Sequence, residues 1–141
     1  MKRVFGHLCL PVCLLVLAVG CGNETELASV TGTVTFNGEP ADSILVNFMP
    51  DPEKQTEGGM SSAITDDEGR FELSYQGEGK GKGAAVGFHR VVVNDLVPEN
   101  FRGAGAPPES RVAPDLMSAS RTRLRLEVKP GEQQFEIELV E

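Results

Sequence analysis

Apolar and polar residues alternate along much of the chain beyond residue 29, and this period of two constrains the fold more than any other feature of the sequence. In VTGTVTF, Val30, Val34 and Phe36 fall on one side of an extended strand and three threonines fall on the other. The alternation returns in SILVNFMP, RFELSY and GFHRVVVN, and again in the C-terminal segments RLRLEV and FEIEL. No segment in this part of the sequence carries an apolar stripe of helical period. The pattern therefore predicts an all-β fold.

Turn-forming residues separate the alternating segments. Asn37-Gly38 follows the first segment, Asp66 to Gly69 precedes RFELSY, and Pro130-Gly131 separates the last two segments. We expect a seven-stranded antiparallel β-sandwich over residues 29–141, with GFHRVVVN as a central strand because it is apolar on both faces. The last two segments are expected to pair as a hairpin whose core side carries Leu124, Leu126, Val128, Phe135, Ile137 and Leu139.

The longest interval without alternation runs from Asp95 to Ser120 and contains four prolines. Because proline has no N–H for a sheet ladder, we expect this interval to lie on the surface and to contribute little to the core. It nevertheless contains apolar side chains that a solvated loop does not need, among them Phe101. Two interpretations stay open: these side chains cap an open end of the sandwich, or Phe101 and its neighbours form a surface that binds a partner protein.

The first 20 residues have the three parts of a secretory signal peptide. Lys2 and Arg3 stand at the start, an apolar run follows, and small residues precede Cys21. The apolar run is shorter than the ~20 residues that cross a bilayer as a helix. We therefore expect residues 1–20 to be removed as a signal peptide.

Residues Ala18 to Cys21, AVGC, resemble the lipobox of bacterial lipoproteins, with Ala18 at a position where Leu is usual. The resemblance implies that the Cys21 thiol receives a diacylglyceryl group and that Cys21 becomes the first residue of the mature chain. Cys9 and Cys13 lie in the predicted signal peptide, and residues 22–141 contain no cysteine with which Cys21 could form a disulfide. Lipidation of Cys21 is therefore the predicted means of membrane attachment.

The mature chain is expected to consist of a polar tether, residues 21–28, and one domain, residues 29–141. Gly22 after the lipidated cysteine favours the outer membrane of a two-membrane cell envelope. Removal of residues 1–20 leaves 11 Lys and Arg residues against 21 Asp and Glu residues, a net charge of −10. Because phosphate binding needs a basic surface, this charge argues against nucleic acid as a partner.

Four segments together resemble successive motifs of the carboxypeptidase regulatory-like domain: VTGTVTFNGEPADSILVNFMP, ITDDEGRFELS, GFHRVVV and LEVKPGEQQFEIEL. The chain is especially similar to small bacterial lipoproteins that carry this one domain behind a lipobox. The resemblance implies a transthyretin-like sandwich and, where no catalytic domain is fused, a structural or binding module. The sequence departs from the family pattern at Gly87 to His89, where a polar residue followed by Tyr is more usual.

Three features invite a chemical interpretation, and each is also explained by structure alone. DDEG, residues 66–69, concentrates carboxylates as a calcium loop does, but a β-turn accounts for it without the alternating ligands of an EF-hand. GEGKGKG, residues 77–83, lacks the Gly-Lys-Ser/Thr ending of a phosphate-binding loop. His89 is the only histidine after the predicted signal peptide, too few for a zinc site or a catalytic triad. We therefore predict no enzymatic activity and no cofactor, with calcium at Asp66–Gly69 left open.

The segment RTRLR, residues 121–125, is the one basic cluster of the sequence. On a strand its arginines share the solvent face, and the expected hairpin partner offers Glu136 and Glu138. Cross-strand charge pairs are therefore predicted. A site for an anionic glycan or a lipid headgroup is the alternative.

Taken together, these features predict a lipid-anchored, non-catalytic structural or binding module of the cell envelope. Two alternatives stay open: an accessory subunit of an envelope protein complex, and a receptor module for carbohydrate or peptide. The chain has no Trp and only 6% aromatic residues, which disfavours a sugar site built by aromatic stacking. Hydroxyisourate hydrolases and intradiol dioxygenases, enzymes of related fold, need more His and Tyr residues than this chain supplies.

Overall fold

The computed structural model describes residues 24–140 and arranges them in two β-sheets around one core. Cys21 and the predicted signal peptide, residues 1–20, lie outside the described residues. The strands are β1 (Leu27–Phe36), β2 (Glu39–Pro40), β3 (Ile44–Pro50), β4 (Ser61–Ile64), β5 (Arg70–Glu72), β6 (Ser74–Tyr75), β7 (Gly81–Lys82), β8 (Ala84–Ala85), β9 (Gly87–Asp95), β10 (Arg125–Val128) and β11 (Glu132–Leu139). One short α-helix, α1 (Leu96–Asn100), follows β9. The all-β prediction is confirmed.

The five-stranded sheet is built around β1. Strand β11 lies parallel to β1 over eight register pairs, from Ser29–Glu132 to Phe36–Leu139. Strands β8, β5 and β2 occupy the other side of β1 in succession, each antiparallel to it. Among the described strands β1–β11 is the only parallel pair, so antiparallel pairing holds everywhere else.

The six-stranded sheet has the order β10-β9-β3-β4-β6-β7. Strand β9 is hydrogen-bonded to β3 on one side and to β10 on the other. Its central position agrees with the prediction made from its two apolar faces. Val91 and Val93 point into the core, and Val92 on the opposite face is also buried.

The core lies between the two sheets and contains the apolar side chains that the alternation predicts. Besides Leu73, between β5 and β6, the strands contribute Val30, Val34, Ile44, Val46, Phe48, Phe71, Val91, Val93, Val128, Ile137 and Leu139. The predicted single strand RFELSY is divided between the sheets, because β5 pairs with β1 whereas β6 pairs with β4. Leu73 lies at the crossing and donates its N–H to the Val30 carbonyl at 2.9 Å.

The predicted hairpin between the last two strands is wrong. Strand β10 pairs with β9 in one sheet, and β11 pairs with β1 in the other. The turn at Pro130-Gly131, with Gly131 at φ +101°, therefore joins the two sheets instead of two neighbouring strands. The apolar residues of both segments still meet in the core, but they do so across the gap between the sheets.

The N-terminal strand begins slightly before the predicted domain boundary. Strand β1 starts at Leu27, and Ala28 is buried in the core. The last two residues of the predicted tether, 21–28, therefore belong to the sheet. Within residues 24–140 no helix has the length and apolar character needed to cross a membrane.

Candidate functional site

The interval from Asp95 to Ser120 has two parts with different roles. Residues 102–110 are exposed, but the chain then returns to the core, where Val112 and Leu116 are buried. The Val93 N–H donates to the Leu116 carbonyl at 3.0 Å, so this part extends the packing at the end of β9. The expectation that the whole interval contributes little to the core is wrong for residues 112–116. Their two apolar side chains cover an end of the core that the short strands leave open.

The exposed part is closed at its base by an ion pair between Asp95 and Arg111. The Arg111 Nε and Nη2 atoms donate to the two carboxylate oxygens of Asp95 at 2.9 and 2.8 Å, and the Arg111 backbone N–H donates to the same carboxylate at 2.9 Å. The guanidinium also reaches Asp42, donating to its carbonyl at 2.8 Å and to its carboxylate at 3.2 Å. We call Asp42, Asp95 and Arg111 the clamp, and residues 96–110 the clamped loop.

Burial makes the clamp stronger than a surface ion pair. The Asp95 side chain is 1% exposed and the Arg111 side chain is 22% exposed. Burial raises the pKa of Asp95, but the hydrogen bonds from Arg111 outweigh this effect and hold the pKa below its ordinary value. The Asp95 hydrogen bond in turn raises the pKa of Arg111. Both groups are therefore charged at neutral pH, in a bidentate geometry that fixes the angle between them.

Helix α1 forms the first part of the clamped loop, and its N-cap is Asp95 of the clamp. The Asp95 side chain accepts the Val97 N–H at 3.1 Å. Phe101 follows the helix and is partly buried, with its ring against Gly103, where a Cβ atom would lie 2.6 Å from the ring. The ring therefore packs on its own loop and stays partly exposed. Its predicted role in binding a partner stays a prediction.

The clamp lies at the opposite end of β9 from the start of the described chain. Val86, just before β9, donates its N–H to the Glu26 carbonyl at 2.9 Å, so the N-terminal segment runs beside the beginning of β9. Asp95 is the last residue of this nine-residue strand. An extended strand rises ~3.3 Å per residue, so the two ends of β9 are about 26 Å apart.

The five-stranded sheet places the clamp at the same end. Ala41, next to Asp42 in the chain, donates its N–H to the Val34 carbonyl near the end of β1 at 3.0 Å. Val34 lies about 23 Å along β1 from Leu27 at the rise of an extended strand. Both sheets therefore put the clamped loop at the end of the domain remote from the tether.

The acidic turn at residues 66–69 uses its carboxylates within the turn. Asp66 accepts the backbone N–H groups of Glu68 and Arg70 at 3.0 and 2.8 Å, and the Arg70 Nε–H at 3.1 Å. The Arg70 backbone hydrogen bond is the main reason that the pKa of Asp66 is lowered. Gly69 has φ +72° and donates to the Asp66 carbonyl at 2.8 Å, so the predicted β-turn is confirmed. Among residues 24–140 no group of three or more His, Cys, Asp or Glu side chains could hold a metal ion.

The predicted charge pairs of the basic cluster are wrong, because the hairpin on which they depended does not form. Arg123 pairs with Asp115, and the Arg125 Nε atom lies 4.0 Å from Asp51. Glu136 and Glu138 form no ion pair within residues 24–140, since the salt bridges found there involve other carboxylates. Arg125 lies in β10 of the six-stranded sheet, Arg121 and Arg123 lie just before β10, and the glutamates lie in β11 of the five-stranded sheet.

His89 is fully buried, and its ring packs against the Phe48 ring in a tilted arrangement with the ring centroids 5.8 Å apart. Its Nδ1 atom is 3.1 Å from the Gly87 carbonyl, and its Nε2 atom has no hydrogen-bond partner in the described structure. Burial lowers its pKa, so the imidazole is neutral at pH 7. Among residues 24–140 it belongs to no group of three or more His, Cys, Asp or Glu side chains that could hold a metal ion.

The chain finds no match among protein-family models, curated proteins or solved structures. Its function must therefore be inferred from its own residues. The charged groups of the clamp hydrogen-bond to one another. What the clamp offers is a fixed loop, held at both ends and projecting from one end of the domain.

Proposed function

We propose that the protein is a lipid-anchored, non-catalytic binding module of the cell envelope, and that it holds a partner protein on the clamped loop. Its domain is a β-sandwich of the transthyretin-like, carboxypeptidase regulatory-like type. The observation that carries the proposal is the position of the clamp, about 25 Å along the strands from the tether. A loop at that end faces away from a membrane to which Cys21 is attached.

The lipid anchor is supported by the residues around Cys21. The apolar segment ends in small residues at this cysteine, and the sequence turns polar directly afterwards. Five residues lie between Cys21 and the start of β1 at Leu27, a reach of at most about 22 Å even when fully extended. The net charge of −10 in residues 21–141 disfavours contact between the domain and anionic headgroups. A short tether and a repelled domain together present the far end to other proteins.

A protein partner fits the composition of the clamped loop better than a sugar does. Residues 102–110, RGAGAPPES, contain no aromatic side chain, and Phe101 is the only aromatic residue of the loop. Exposed Val97 and Met117 flank the base of the loop and add apolar surface beside it. An accessory subunit of an envelope complex would use the same surface, so it is a form of this proposal.

The anchor and the loop are tested separately. Cys21→Ala should abolish lipid labelling and shift the protein from the detergent phase to the aqueous phase in partitioning. Retention of the variant in membranes would show that something other than acylation holds the protein. This experiment does not depend on the loop.

The loop is tested by replacing residues 99–109 with a Gly/Ser linker, which leaves Asp95, Arg111 and Val112 in place. We expect the variant to keep its β-sheet circular dichroism and thermal midpoint and to lose the crosslinks that a photoreactive residue at exposed position 97, which both proteins keep, forms in native membranes. A photoreactive residue at exposed position 78, near the tether, is the matched control. If the linker variant crosslinks as strongly as the wild type, the loop is not part of the binding surface.

A further inference from the structure

Strand β11 is an edge strand with one free side. It pairs only with β1 among the described strands. The Ser29 N–H donates to the Gly131 carbonyl and the Asn37 N–H to the Leu139 carbonyl, so the odd-numbered residues direct their backbone groups toward β1. The backbone N–H and C=O groups of residues 132, 134, 136 and 138 therefore point away from the sheet. Within residues 24–140 they have no hydrogen-bond partner.

The side chains of the same four residues form the solvent face of this edge. Glu132, Gln134, Glu136 and Glu138 are all exposed. None of the three glutamates has a Lys, Arg or His nitrogen within 4 Å in the described part of the chain. A groove of about 300 Å³, lined by Ser29, Thr31, Glu132, Gln133 and Gln134, lies alongside. We call residues 132–138 the acidic edge.

The acidic edge lacks the usual devices that stop a sheet from growing. Natural edge strands are commonly protected by Pro, Lys, a bulge or a very short length. β11 has eight residues, no Pro and no Lys, and it pairs with β1 without a break in register. Its only protection is like charge, which opposes pairing with a second copy of the same strand. The negative charge of β11 does not oppose pairing with a strand that carries positive side chains.

From the free backbone groups and the three unpaired carboxylates, we infer that the acidic edge is a docking site for an extended, cationic segment of a partner protein, which adds to β11 as an antiparallel strand. Lys or Arg at every second position would stand directly opposite Glu132, Glu136 and Glu138. The alternate residues of the partner would lie on the core side. There, Gln133 and Phe135 are only partly buried, and apolar partner residues would cover them.

This site shares no residue with the clamped loop, and Cys21 is not part of it. The acidic edge can therefore be tested independently of the function proposed above. The partner is defined by its chemistry: main-chain hydrogen bonds supply part of the affinity, and the alternation of positive charge supplies the selectivity.

The test uses the purified full chain in detergent and an octapeptide of alternating Lys and Val, acetylated and amidated at its ends. We expect this peptide to bind and the corresponding Glu-Val peptide not to bind, with an affinity that falls as NaCl is raised. When the peptide pairs antiparallel to β11 with its Lys residues opposite the Glu residues, the backbone N–H groups of those Lys residues point at β11. N-methylation of the Lys residues should therefore abolish binding, whereas N-methylation of the Val residues should preserve it.

The protein side of the test uses Glu136→Lys with Glu138→Lys, which should weaken binding by about tenfold or more. Glu57→Lys with Glu78→Lys makes the same change in net charge at exposed positions outside both the acidic edge and the clamped loop, and should alter binding less than twofold, within the effect expected of screened surface charges. Circular dichroism checks that both variants fold, and the N-methylated peptides need no variant at all.

Three results would overturn the proposal. Equal binding by the two N-methylated peptides would show charge attraction without strand addition. Unchanged affinity of the Glu136→Lys, Glu138→Lys variant would place the peptide elsewhere. A stable dimer in sedimentation that the Lys-Val peptide does not dissociate would show that a second copy of the chain occupies the edge.

Discussion

Replacing Arg111 with Met should destabilise the domain, because the substitution leaves the Asp95 carboxylate charged, buried and without its guanidinium partner. The Asp95 side chain is 1% exposed and receives two side-chain hydrogen bonds from Arg111. Removing one member of a buried ion pair costs about 3 to 5 kcal/mol. The backbone N–H groups of residues 97 and 111 would continue to donate to Asp95. We therefore expect a loss at the lower end, about 3 kcal/mol in the free energy of unfolding.

Urea unfolding at pH 7 measures this loss directly, and a thermal scan should show a midpoint lower by about 10 °C for a domain of this size. Arg111→Lys keeps the charge but loses the planar bidentate contact, so its effect should be intermediate. Arg102→Met is the matched control. The Arg102 side chain is exposed and donates only to backbone carbonyls of the loop, so its loss should cost less than about 0.5 kcal/mol.

The pH dependence of the Arg111→Met effect identifies the cause. In the wild type the pKa of Asp95 is lowered, so its stabilising contribution is present above the unfolded pKa of ~3.9 and is lost as the pH falls through the folded pKa. In the variant, burial without Arg111 should raise the pKa of Asp95, so the carboxyl takes up a proton as the pH falls from 7 to 5. The difference in stability between the two proteins should then narrow. A loss below about 1 kcal/mol at pH 7, or an equal loss at pH 7 and pH 5, would refute the reasoning.

Two further predictions concern the core. Burial lowers the pKa of His89, so below pH ~6.5 the imidazole is protonated in the unfolded chain but stays neutral in the native chain. The free energy of unfolding should therefore fall by up to about 1.4 kcal/mol between pH 7.5 and pH 5.5. Urea titrations of His89→Gln should lack this pH dependence. Gly83 has φ +94°, and a Cβ atom there would lie 1.8 Å from the Ala28 carbonyl oxygen, so Gly83→Ala should cost about 3 kcal/mol or more. Gly79→Ala, at φ +87° with open space around it, should cost about 1 kcal/mol, and equal losses in the two variants would contradict the close contact.

The faces of the strands could be predicted from the sequence because alternation is a local property. Val30 and Val34, or Ile44 and Val46, need only an extended backbone to point the same way. The Asn37-Gly38 turn is equally local, since both residues take positive φ between β1 and β2. These features do not depend on which strand lies alongside which.

The clamp could not be predicted, because its three members are distant in sequence. Asp42 and Arg111 are 69 residues apart, and no local pattern joins them. One part of the site did have a local signal: Asp95, followed by Pro98 and Glu99, is typical of a helix start. Val112 and Leu116 are not part of an alternating pattern, so no local signal predicted their burial. Their burial depends on how the chain beyond the loop packs against the core.

The pairing of β11 shows why a hairpin pattern alone misleads. The alternation, the turn at Pro130-Gly131 and the inward faces are the same whether β11 folds back on β10 or crosses to β1. Strand β10 has four residues, all of them paired with β9, whereas β1 offers β11 eight register pairs. The free side of β10 could offer β11 at most four register pairs, so more backbone groups are satisfied when β11 crosses to β1 than in a hairpin.

The same crossing creates the acidic edge. Had β11 paired with β10, its glutamates would have faced the arginines of RTRLR, and the charges would have balanced within the domain. With β11 paired to β1 instead, Arg123 pairs with Asp115 and Arg125 lies near Asp51. Three carboxylates then lie on the solvent face of β11. The backbone groups on the free side of this strand have no partner among the described residues. The strand choice that best satisfies the chain's own hydrogen bonds is thus also the one that leaves its last strand open to a cationic partner.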